Sequence, residues 1–95
     1  MEFRYSDFQA CLNQPFILTE DDLSDELELI RVDLIEQAQT LENREAFSIL
    51  LQSRKEFILP QKIYQLRHRQ LGEIQLFIVP VGQDENGVRY EAVFS

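Results

Sequence analysis

Apolar and polar positions alternate most regularly in the second half of the chain. Phe47, Ile49 and Leu51 alternate with Ala46, Ser48, Leu50 and Gln52, the two-residue period of a strand. In a second run Tyr64, Leu66 and His68 share one face, and Ile63, Gln65 and Arg67 the other. Pro60 lies just ahead of it, where a missing N–H does no harm. Two further runs, LFIVPV at 76–81 and VRYEAVF at 88–94, flank QDENG. Asn86-Gly87 within that linker predicts a β-hairpin, because a type I′ turn requires positive φ at both central positions. A two-residue turn at Asn86-Gly87 sets Asp84 opposite Arg89, whereas a DENG loop sets Val81 opposite Tyr90. Both registers place Phe77, Val79, Val81, Tyr90, Ala92 and Phe94 on one face. The other then carries Leu76, Ile78, Pro80 and Val93 beside Arg89 and Glu91, too apolar for a fully solvated surface. A helix, closure of the sheet into a barrel, or a second subunit would cover it. Pro80, which cannot donate to a ladder, belongs at an edge or a bulge.

The first half is less decided. Ser6 and Gln9 have the spacing of a capping box, and Phe8, Cys11 and Leu12 recur on one helical face, predicting a short helix over about 6–13 that Pro15 stops. Phe16–Leu18 reads as a first extended segment. Over 19–41 two periods compete. Leu23, Leu27, Ile30, Leu34, Ala38 and Leu41 fall at helical spacing, while Ile30, Val32 and Leu34 alternate as in a strand. Pattern alone favours the helix slightly.

Composition narrows the class. A chain of 95 residues fits one domain, residues 1–95, without room for separate cofactor and substrate domains. Cys11 is the one cysteine, so no intramolecular disulfide forms and a reducing cytoplasm is the expected compartment. No apolar run is long enough to cross a bilayer, and residues 1–15 lack the features of a signal peptide. The net charge of −8 argues against nucleic acid or an anionic membrane as the main partner. Residues 1–53 hold twelve acids and three bases, and residues 54–95 five acids and six bases, giving −9 and +1. Six carboxylates crowd residues 20–28, and five bases lie within 54–69. Either the two halves neutralise one another in the fold or they present faces of opposite sign.

Residues 47–94 resemble a small family of bacterial domains of unknown function. The resemblance rests on FSIL at 47–50, LPQ at 59–61, YQLRH at 64–68, LG at 71–72, LFIVPVG at 76–82 and YEAVF at 90–94. Lys62 and Ser95 depart from the pattern, which has glycine and asparagine there. The resemblance implies a compact, mostly antiparallel β domain and turns residues 27–35 toward strand; it carries no catalytic residues over. The expected fold is mainly β: a single antiparallel sheet or small open barrel of about six strands, with a short N-terminal helix.

Little chemistry is visible. His68, the single histidine, has no nucleophile or orienting group assigned to it, so it reads as a polar group satisfied at the rim of the core. Glu91 reads as half of a surface ion pair with Arg89 rather than a general base, and Cys11 as a small buried hydrophobe. The acids at 20–28 lack the spacing of a calcium loop, and no glycine-rich phosphate loop is present. Phe57 and Tyr64 beside the bases of 54–69 resemble a single-strand nucleic-acid surface, which the acidic whole opposes. No cofactor and no metal is expected. The functional expectation is therefore a non-enzymatic protein-interaction, adaptor or structural module of a bacterial assembly. Its partner is another protein or a second copy, docked on Leu76, Ile78, Pro80 and Val93 or on an exposed strand edge. The alternative is a small-molecule-binding β-barrel with its site near Tyr64, His68 and Tyr90.

Overall fold

The computed structural model describes residues 3–35 and 46–94. A short helix, α1 (Tyr5–Gln9), precedes six strands: β1 (Pro15–Glu20), β2 (Leu23–Leu34), β3 (Phe47–Ser53), β4 (Lys62–His68), β5 (Gly72–Asp84) and β6 (Gly87–Phe94). All neighbouring strands are antiparallel, and they close into a barrel in the order β1-β2-β3-β6-β5-β4. The expected sheet is thus a closed barrel, not an open one. Two three-stranded meanders, β1–β3 and β4–β6, join along β3–β6 and along a short β1–β4 seam at Ile17↔Arg67 and Leu18↔Leu66. Closure gives every strand a partner on each side, although β5 pairs with β4 over 72–78 and with β6 over 79–84.

Residues 27–35 follow the strand reading, with a bulge that shifts the phase of β2. Pairing of β2 with β3 slips between Leu29 and Arg31, so the inward residues are Leu27, Leu29 and Val32, while Leu34 is exposed. The additional residue converts a period of two into a local spacing of three, and of the residues at helical spacing within β2 only Leu27 is buried. The expected alternation of Ile30, Val32 and Leu34 on one face is corrected accordingly. Ala38 and Leu41 lie outside the described residues, as does Ser95.

The helix begins earlier than expected. Its N-cap is Arg4, whose N–H donates to Asp7 Oδ2 at 2.8 Å, so Asp7 closes the first turn instead of the Ser6/Gln9 pair. Gln9 donates to the Tyr5 hydroxyl at 2.6 Å. The helix projects Phe8 into one end of the barrel, where its ring meets Phe3, Phe16, Phe47 and Phe94 at centroid separations of 5.0–6.1 Å. The segment between β3 and β4, residues 54–61, crosses the opposite end and inserts Leu59. Tyr90 Oη accepts from Leu59 N at 2.9 Å, and Tyr64 Oη donates to Pro60 O at 2.6 Å. Burial of these side chains from both ends supplies a continuous core.

Among the described residues one ion pair, Lys62–Glu20 at 2.6 Å, joins the acidic and basic halves of the chain. Arg31–Asp33, Arg67–Glu73 and Arg89–Asp84 are each local to one half. Most of the acidic charge of β1 and β2 therefore stays on the surface. No helix of the described residues is long and apolar enough to cross a membrane.

Candidate functional site

The final hairpin decides which apolar residues face water. Its turn residues are Glu85 and Asn86, with Asp84 paired to Gly87, one position earlier than a turn at Asn86-Gly87. Asn86 N donates to Asp84 Oδ1 at 2.8 Å, and Arg89 Nη1 donates to Asp84 Oδ2 at 2.8 Å. These bonds, the Arg89 guanidinium first, hold the Asp84 carboxyl below its usual range. Gln83↔Val88 and Gly82↔Arg89 follow the register of the four-residue loop, but the ladder then slips to Pro80↔Tyr90 and Val79↔Glu91. Val81 is the bulged residue. Its insertion reverses the parity of β5 against β6.

The expected face is consequently split. Leu76 and Ile78 point into the barrel with Tyr90 and Ala92, Pro80 is half-buried, and Val93 alone of the four is well exposed. Phe77, expected beside Tyr90 and Ala92, lies outside. The outer surface of β4, β5 and β6 carries Ile63 (62% exposed), Phe77 (50%), Val81 (52%) and Val93 (57%). Ile63 pairs directly with Phe77, and Val93 lies two residues from Glu91, the partner of Val79. Phe57 and Ile58 of the crossing loop are exposed as well, and Gln83 Nε2, donating to Glu56 O at 2.6 Å, ties that loop to β5. The signal for this arrangement was Pro80: a residue without an N–H beside Gly82 marks the bulge that turns Phe77 outward.

The three residues of the interior alternative are buried. Tyr64 and Tyr90 use their hydroxyls on the crossing loop, as described above, and burial pushes both phenols up. His68 lies at the opposite end, stacked on Phe16 at 4.6 Å. Its Nδ1 accepts from Gln70 N at 3.1 Å and Leu71 N at 3.2 Å. These bonds fix the neutral tautomer with the proton on Nε2, which donates to Gln14 Oε1 at 2.7 Å. Burial, and secondarily the Arg69 charge, lowers the His68 pKa. The fold brings Cys11 Sγ to 3.8 Å from His68 Nδ1, a neighbour the sequence pattern did not reveal. The thiol donates to Asp7 O at 3.3 Å, and burial followed by the nearby Asp7 charge raises its pKa. Both groups are thus held neutral, and Nδ1 already serves two N–H donors. Glu91 is half-buried opposite Val79 and Leu50; Arg89 pairs with Asp84 instead, correcting the expected Arg89–Glu91 pair.

Among the described residues, clefts open on the surface at two places of note. One, of about 360 Å³, lies over the β1–β4 seam between Ile17, Thr19, Gln65, Leu66, Arg67 and Glu73. The other, of about 370 Å³, is walled by β2 residues Asp25, Glu26 and Glu28, by Gln52, Arg54 and Lys55, and by Asn13 and Pro15. Neither is lined by Tyr64, His68 or Tyr90. The described residues contain no group of three or more His, Cys, Asp or Glu placed to hold a metal ion.

No curated protein and no solved structure matches the chain. A family model does match, over residues 3–94 and hence over α1 and all six strands, and its extent agrees with the β domain that the motifs at 47–94 implied: the chain belongs to the family described as Domain of unknown function (DUF6916).

Proposed function

We propose that this domain is a non-enzymatic protein-interaction module, working in the cytoplasm as an adaptor or structural part of a larger assembly. Its docking surface is the outer face of β4, β5 and β6. The observation that carries the reading is the exposure of Ile63, Phe77, Val81 and Val93 on a barrel whose interior is already occupied by its own side chains. Apolar groups grouped on one outer face favour association because burial against a partner removes them from water. The interior alternative finds less support, since the polar tips of Tyr64, His68 and Tyr90 are all engaged within the fold.

The surface differs from the one that pattern alone indicated, so the probes differ too. Phe77→Glu and Ile63→Glu place charges on the outer face, whereas Ile78 is fully buried. The test is retention of a protein partner by the tagged native chain, confirmed with purified components, together with sedimentation of the domain alone to detect self-association. Phe77→Glu and Ile63→Glu are expected to weaken either association at least about tenfold, a loss of about 1.4 kcal/mol. Association that survives both substitutions would remove this face from the reading.

A further inference from the structure

The two sides of the barrel differ sharply in charge. Residues 15–34, which form β1, β2 and their turn, hold seven acids against Arg31 alone. Residues 62–94, which form β4, β5, β6 and their turns, hold four bases and four acids and so carry no net charge. Within this neutral half Arg67 pairs with Glu73 at 2.7 Å and Arg89 with Asp84 at 2.8 Å. The exposed apolar side chains Ile63, Phe77, Val81 and Val93 all stand on the same half; Leu34, exposed at the end of β2, lies apart from them. Apolar exposure and electrical neutrality therefore coincide on one face of a chain whose net charge is −8.

That coincidence discriminates between occupants. A basic protein is steered by the field of the acidic half and gains nothing from the neutral one. A second copy is in the opposite position. Its own charge of −8 repels, and the neutral half is where two copies touch with their acidic halves turned apart and screened by the solution between them. A two-fold contact also requires one patch to complement itself, which equal numbers of bases and acids around an apolar centre permit. We propose that the apolar outer face is covered by a second copy of this chain, related by a two-fold axis, with β4, β5 and β6 of the two protomers packed face to face. This rests on the docking face assigned above and fixes its partner. Ile63 and Phe77, paired directly, supply the centre with Val81 and Val93, and the Arg67–Glu73 and Arg89–Asp84 pairs supply polar groups beside it.

The test is sedimentation equilibrium of the full chain over a range of concentrations, at low and at high sodium chloride. The expected result is a monomer–dimer equilibrium that is unchanged or tighter at high salt, because screening relieves repulsion between the acidic halves while apolar burial does not depend on ion pairs. Phe77→Glu and Val93→Glu each enter a two-fold contact twice and should raise the dimer Kd at least about tenfold. Phe77→Lys should do the same, since either charge replaces an apolar group. Glu26→Gln, on the acidic half, should leave the dimer intact. A chain that is monomeric at every concentration, a dimer indifferent to both Phe77→Glu and Val93→Glu, or a dimer that salt dissociates overturns self-association. If the monomeric chain retains a protein that Phe77→Glu releases, the docking face stands and its occupant is a different protein; if Phe77→Glu and Ile63→Glu release nothing, both readings fall.

Discussion

His68 shows how a residue type associated with chemistry can be held in a structural role. Two backbone N–H groups on Nδ1 and the Gln14 oxygen at Nε2 satisfy the neutral ring completely, and protonating Nδ1 would break both N–H bonds. Burial and then Arg69 depress its pKa in the folded chain, so the unfolded chain takes up the proton at higher pH than the folded one. Where only the unfolded state is protonated, that state is favoured. The His68 contribution is therefore fully present above the unfolded histidine pKa, about 6.5, and is lost as pH falls through the depressed folded value. Urea midpoints measured from pH 8 down to 5 should decline over this window in the native chain. In His68→Gln, which has no imidazole to titrate, this portion of the decline should vanish. Asp84, also depressed, acts in a separate window, below the ordinary carboxylate range.

At the scale of the element, the hairpins are set by backbone requirements that few residue types meet. Gly87 has φ of +120°, and a Cβ there would lie 1.9 Å from Ser53 O. Its lack of a side chain lets the start of β6 pass against the end of β3. Gly87→Ala combines backbone strain with a collision against main chain, and a cost of about 3 kcal/mol or more is expected. A lower urea midpoint with an unchanged slope would confirm it. The same hairpin shows what was legible in the sequence. Strand content, the places of β3 to β6 along the chain and the pairing of the last two as a hairpin followed from alternation and turn chemistry. Pro80 hinted at the β5 bulge, but the phase change at either bulge did not follow, because an inserted residue leaves composition and local propensity intact. At Val81 the phase change exchanged Phe77 for Ile78 on the exposed face, and after Leu29 it turned Val32 inward and left Leu34 exposed.

For the whole molecule, closure separates side chains into an inside and an outside with very different tolerances. Helix α1 and the 54–61 crossing fill the two ends, and the β1–β4 seam completes the wall with two residue pairs. Neighbouring positions on β5 should respond oppositely to the same substitution. Ile78→Glu would bury a carboxylate among apolar groups, at an expected cost above about 4 kcal/mol. That is a large share of the roughly 5–15 kcal/mol that holds a typical domain, so this variant should be largely unfolded or strongly destabilised. Phe77→Glu, one residue away on the outer surface, should change stability by about 0.5 kcal/mol or less and remain soluble as a folded monomer. Thermal and urea unfolding of the two variants side by side, with far-UV circular dichroism of each, measures the contrast. Equal stability would mean that the β5 bulge does not set the phase of this strand. A large difference would make Phe77→Glu a sound probe of partner binding, because any association it loses could not be attributed to loss of the fold.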